Sequence, residues 1–190
     1  MERFVALLTG INVGGHRRVP MADLREVVAE LGHTDVVTYI QSGNVVFVPV
    51  SGQSTTQVAD GLASGIETKF GFAVHVVVLS AGQLADVVVR NPWPEVSEPK
   101  QLHVGFSREP LGAETAARVA EAERQTAAKG SKDEARVVEG VLYLHTPDGL
   151  GRSELAVQLS RLGQRSSAPT TMRNWATVTK LHHLASAGQG

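Results

Sequence analysis

The sequence predicts an α+β protein built from two ferredoxin-like halves, βαββαβ and then βαββα, followed by a C-terminal helix. Three observations lead there: the order of periodic apolar segments over residues 3–80, the return of a similar order after residue 100, and the proline-rich stretch NPWPEVSEPK between them. The first strand runs from Arg3 to Thr9; its apolar core, Phe4 to Leu8, is too short to cross a bilayer and reads as a strand rather than a secretion signal. A glycine-rich connection, Gly10 to Val19, leads to Pro20 and the segment MADLREVVAELG. There Leu24, Val27, Val28 and Leu31 keep helical spacing until Gly32 stops the helix. DVVTYIQ and NVVFVPV are β-branched runs around Ser42-Gly43, with Asn44 suited to a left-handed turn, and predict a hairpin. Ser54 or Thr55 caps a second helix reaching to about Lys69, with Val58, Leu62, Ile66 and Phe70 at steps of four, and AVHVVVLS returns as a strand.

A short helix, Ala81 to Val89, precedes Pro92, Pro94 and Pro99, which interrupt regular structure. This sets an N-terminal domain at 1–90, a linker at 91–100 and a C-terminal domain at 101–190. In the second half QLHVGFS is a strand, Gly112 to Ala128 an alanine-rich helix, and EARVVEG and VLYLHT flank Gly140. Ser153 caps a helix to Leu162 that buries Leu155, Leu159 and Leu162. Residues Thr170 to Ala187 read as one final helix, on which Arg173, Thr177 and Lys180 share a side.

With 190 residues, 42% of them hydrophobic and 19% charged, the chain suits one large or two small globular domains. The absence of cysteine excludes disulfides, thiol catalysis, Cys-ligated zinc and Fe–S clusters, and points to the cytoplasm. Eighteen Lys+Arg against nineteen Asp+Glu give a net charge of -1, so no global field draws the chain to nucleic acid or anionic lipid, and electrostatic recognition has to be local. No apolar run is long enough for a membrane helix, and no membrane partner is expected.

The loop TGINVGGHRRVP joins a strand end to a helix start. Gly10, Gly14 and Gly15 leave backbone N–H groups free to turn toward an anion, Arg17 and Arg18 can grip phosphate or carboxylate, and His16 joins them when protonated. The competing reading is a long crossover whose glycines permit positive φ, with solvated arginines. Neither a Walker loop nor a dinucleotide fingerprint is present, and the sequence calls for no cofactor. Ser42 and Asn44, at the hairpin tip QSGN, either bond a ligand or bond their own turn. From Gly151 onward five basic residues, Arg152, Arg161, Arg165, Arg173 and Lys180, stand against one acid, Glu154, a net of +4. His75, His103 and His145 fall on three different strands without metal-ligand spacing, so no metal site is expected, and no Ser-His-Asp constellation is visible.

The blocks ALLTGINVGGHRRVPMADLR, YIQSGNVVF, GRSEL and TMRNWATVTKL resemble the bacterial family called domain of unknown function 1697. Its pattern runs ALLRGINVGG, VPM-x-x-LR, Y-x-x-SGN-x-x-F, G-RS-KL and RNW-x-T-x-x-KL, and the resemblance extends from Phe4 to Leu181. It implies two ferredoxin-like halves and no established activity. It adds Asn12 and Asn174 to the candidate positions, beside Gly10, Gly14, Gly15, Ser42, Asn44, Arg173 and Lys180. His16-Arg17-Arg18 stands where the family shows lysine or asparagine, keeping positive charge; Glu154 stands where lysine is common, removing it.

The reading that joins these features is a binding module for a phosphate-bearing ligand, a nucleotide or nucleic acid. It would use Gly10, Asn12, Gly14, Gly15, Arg17, Arg18, Ser42, Asn44, Arg173, Asn174 and Lys180, and needs the tail and the loop to share one pocket. The alternatives are a small-molecule enzyme using that pocket, with His16, Ser42 or Lys180 moving a proton, and an assembly protein pairing exposed strand edges into a homo-oligomer.

Overall fold

Alternation of side chains along β1 (Phe4–Thr9) organises the first sheet, in a computed structural model that describes residues 2–12, 14, 16–164 and 169–187. Phe4, Ala6 and Leu8 point to one side, where they meet Val45 and Phe47 of β3 (Asn44–Val48) and Val76 and Val78 of β4 (His75–Ser80). Two helices cover this side: α1 (Met21–Glu30) through Leu24, Val27 and Val28, and α2 (Thr55–Phe70) through Val58, Leu62 and Ile66. On the opposite side Val5, Leu7, Val46 and Val77 are buried as well. With β2 (Thr34–Tyr39) at one edge, the strand order is β2-β3-β1-β4 and every pairing is antiparallel.

Local chemistry fixes the helix ends. The Ser54 hydroxyl accepts from the Gln57 N–H at 3.2 Å, while the Gln57 side chain accepts from the Ser54 N–H at 2.9 Å, a reciprocal capping box. Pro20 precedes α1 with extended backbone, and its carbonyl accepts the Leu24 N–H. The hairpin turn differs from the expected one: left-handed backbone falls on Ile40 (φ 49°) and Gly43 (φ 74°), not on Asn44. Asn44 is the first residue of β3 and pairs with both Leu7 and Tyr39, which requires it to be extended.

After α3 (Ala81–Val89), the second sheet takes β5 (Leu102–Phe106), β6 (Glu134–Val138), β7 (Val141–His145) and β8 (Thr171–Asn174) in the order β6-β7-β5-β8, the same antiparallel arrangement as the first. Its helices are α4 (Ala113–Ala127) and α5 (Glu154–Gln164), and Leu111, Val119, Leu142, Leu144, Leu155 and Leu159 form the core beneath them. Ser153 caps α5 by accepting the Ala156 N–H at 2.8 Å. A correction concerns the tail: Thr171–Asn174 is a strand paired with β5, and α6 (Trp175–Ser186) begins after it. Both halves are thus complete βαββαβ units, and Arg173 shares no helical face with Thr177 and Lys180.

By its internal contacts the chain divides into Met1–Asp86 with Lys180–Gly190, and Val87–Thr179. The proline-rich stretch belongs to the second of these. The buried Trp93 lies 5.6 Å from the Arg136 guanidinium and 5.6 Å from the His145 ring, and its backbone is held from both sides by the Asn91 amide. Among the described residues no helix is long and apolar enough to cross a membrane.

Candidate functional site

The connection from β1 to α1 turns through left-handed backbone at Gly10 (φ 72°), Asn12 (φ 56°), Gly14 (φ 60°) and Arg17 (φ 50°). Such a path is steep for an ordinary L-residue, so it needs a tie, and Asn12 supplies it. Its amide Nδ2 donates to the Val19 carbonyl at 3.0 Å and to the Gln41 carbonyl at 2.8 Å, and its Oδ1 accepts the Val19 N–H at 2.9 Å. The Asn12 N–H closes the loop on the Arg17 carbonyl at 3.1 Å. One side chain therefore closes the crossover and fastens it to the hairpin tip.

The hairpin tip fits under the loop. Gly43 donates no side chain because there is no room for one: a Cβ there would lie 2.7 Å from Ile11 Cδ1 and from Leu8 Cβ. Its carbonyl accepts the Leu8 N–H at 2.8 Å. The Asn44 amide donates to the Tyr39 carbonyl at 3.1 Å and to the Ser42 hydroxyl at 2.9 Å, and Asn44 is fully buried. Ser42 and Asn44 thus bond to each other and to the turn, while Ser42 remains exposed.

Outside this scaffold stand the exposed His16, Arg17 and Arg18. The Arg17 guanidinium lies 5.9 Å from the Phe72 ring centroid and passes close to Gly10, whose added Cβ would be 3.7 Å from Arg17 Nη1. Among the described residues neither Arg17 nor Arg18 pairs with an acid. The Thr9 hydroxyl, at the end of β1, is buried with no hydrogen-bond partner among the described residues. Gly15 lies outside the described residues.

Thr9 and Phe72 were not visible as site residues. Thr9 reads as the last residue of a strand, and Phe72 follows the α2 C-cap Gly71 with no local signal linking it to Arg17. The other candidates lie elsewhere. Arg173, on β8, is half-buried; it donates to the Thr171 hydroxyl at 2.8 Å and to the Met172 carbonyl at 2.9 Å, and burial pulls its pKa down to about 10. Asn174 accepts the Thr177 N–H at 2.9 Å and so caps α6. Both belong to the second unit, whereas Lys180, exposed on α6, belongs to the unit that holds the loop. Among the described residues no three His, Asp or Glu side chains gather as a metal site requires.

The family model described as "Protein of unknown function (DUF1697)" matches residues 1–143. No curated protein matches the chain. Among solved structures, a conserved bacterial protein, SP0830 from Streptococcus pneumoniae, aligns with a TM-score of 0.65 over 97% of this chain and 98% of its own. The two sequences are 20% identical, a likeness of fold.

Proposed function

The chain belongs to the DUF1697 family, and from that premise and the loop geometry we propose that it binds a phosphate-bearing ligand, a nucleotide or single-stranded nucleic acid, at the β1–α1 connection. The observation that carries this reading is the pair Arg17 and Arg18: two exposed guanidiniums on a loop turned through left-handed backbone at Gly10, Asn12 and Gly14, with no acid paired to either among the described residues. Guanidinium is the side chain best matched to phosphate oxygens. Phe72 holds the Arg17 head in place, which reduces the ordering cost of binding. Gly14 has open space around it and leaves backbone free for close approach. Arg173, Asn174 and Lys180 are not needed for this reading.

Fluorescence anisotropy with labelled single-stranded oligonucleotides, and calorimetry with nucleoside triphosphates, test it at low salt. Saturable binding that weakens with added salt is expected, and Arg17→Ala/Arg18→Ala should flatten the log–log salt slope for single strands by about 1.4, or roughly 0.7 per lost phosphate contact. Absence of saturable binding at low salt to any of these ligands refutes the proposal.

A further inference from the structure

Resting on the reading of the β1–α1 connection as a phosphate site, we propose that its ligand carries a flat aromatic base that stacks at Phe72 and Arg17, with the phosphate toward Arg18 and Gly14. The site then selects nucleotides, free or in a single strand, over phosphates that lack a base. The sheet brings the parts together. Thr9 pairs with His75, which sets the end of β1 against the start of β4, so the β1–α1 and α2–β4 connections leave the sheet side by side. The second of these is short. Gly71 ends α2 in left-handed backbone (φ 77°), its N–H donating to the Glu67 carbonyl at 2.8 Å, and Phe72 follows at once. Phe72 is half-buried: it packs against the first core, and its ring centroid lies 6.2 Å from that of Phe70. From the other connection Arg17 places its guanidinium over the Phe72 ring.

Aromatic rings and arginine planes are the two kinds of side chain on which proteins stack unpaired bases, and here one of each meets at the phosphate loop. A ligand with phosphate alone would use the charge of Arg17 and leave the ring idle. A base beside the phosphate uses the guanidinium plane and the ring as well, whereas a lysine in place of Arg17 would offer charge without a plane. The charges also give the ligand a direction. Phe72 sits past the carbonyl end of α2, where the helix dipole is negative, and Lys69 in the last turn is committed to Glu26 at 2.8 Å. That end disfavours a phosphate and tolerates an uncharged base. Arg18 is exposed, Gly14 has open space around it, and no acid stands among residues 10–20, so the phosphate lies toward them.

Two arms at low salt test this with the full chain: calorimetry with AMP, GMP, CMP and UMP beside ribose 5-phosphate, and anisotropy with labelled single strands beside abasic strands of equal length. In at least one arm the base-bearing ligand should bind at least about fivefold more tightly than its base-free counterpart. A preference confined to the nucleotides makes the source a free nucleotide, and one confined to the strands makes it a single strand; either upholds the proposal. Phe72→Leu, which keeps an apolar side chain against the core, should erase the preference. It should leave base-free binding within about twofold and the salt slope unchanged, because the slope counts phosphate contacts. Arg17→Lys, which keeps the charge and loses the plane, should shrink the preference too. Arg17 is exposed, so this variant keeps the test decisive if Phe72→Leu folds poorly. Base-free ligands that bind as tightly as base-bearing ones overturn the proposal and leave the phosphate reading standing, as does a preference that both variants retain. Binding of none of these ligands overturns both.

Discussion

Replacing Asn12 by alanine removes three hydrogen bonds and leaves a left-handed backbone without the residue type that tolerates it. Val19 is fully buried, so water cannot replace the Asn12 partners of its N–H and C=O. Each buried group left unmade costs about 1–3 kcal/mol. The bond to the Gln41 carbonyl is exposed and counts for less. Alanine at φ 56° adds roughly 1–2 kcal/mol relative to a conformation it prefers. Asn12→Ala is therefore expected to lower the unfolding free energy by at least about 3 kcal/mol. Asn12→Gly, which takes the same backbone without strain, should lose roughly 1 kcal/mol less. Asn12→Asp keeps the acceptor for the Val19 N–H but turns a carboxylate toward two carbonyls, and should be no better than alanine. Urea unfolding measures all three. Hydrogen exchange at the Val19 N–H, protected in the parent and fast in the alanine variant, locates the effect. A loss below about 1 kcal/mol for Asn12→Ala, with Val19 still protected, would refute the view that this amide closes the crossover.

Two further outcomes follow from neighbouring geometry. Gly43→Ala forces a Cβ to 2.7 Å from both Ile11 and Leu8 at φ 74°, so a loss of about 2–4 kcal/mol is expected by denaturant unfolding; a neutral variant would mean that the hairpin tip does not seat under the loop. Burial holds His33 and His103 below the ordinary histidine pKa of 6.5, and the His33 Nδ1 accepts the Val50 N–H, a bond that protonation destroys. The unfolded chain then takes up protons first as the pH falls, so stability, full above about 6.5, should drop through the window between there and the lowered values. Thermal melts between about pH 7 and pH 5 read this, and His103→Leu should reduce the slope; a flat profile in the parent would exclude the effect.

What could be read from the sequence was what a few neighbouring residues decide. The Ser54 and Ser153 caps, the stop at Gly32 and the hairpin around Gly43 all depend on contacts within a turn or two, and each has a residue type that signals it. The strand β8 did not. TMRN is short, mostly polar and followed directly by helical spacing, and its reason to be extended is β5, far away in the chain. Arg173 was for that reason placed on the wrong element. In the candidate site the glycines and arginines were legible, but Asn12 as a tie and Phe72 as a platform depend on contacts formed after folding.

The two halves offer an internal control on why the first crossover is built as it is. Each half has the same strand order, and each seats a hairpin glycine against its crossover. Gly43 lies under Leu8 and Ile11, and Gly140 (φ 77°) under Pro110, where a Cβ would be 2.5 Å from the proline ring; the Leu8 N–H binds the Gly43 carbonyl, and the Leu111 N–H binds that of Gly140. The topology is therefore satisfied in the second half by residues 107–112, a connection of ordinary length for such units. In the first half residues 10–20 make the same connection, with the added length carrying left-handed turns and adjacent cations. Strained and lengthened backbone that the fold does not require is characteristic of functional sites. The shorter connection also carries an acid, Glu109, beside Arg108, whereas no acid interrupts residues 10–20. The asymmetry between two otherwise matching units thus supports the proposal that the positive loop serves recognition, while the glycine seat beneath it belongs to the architecture.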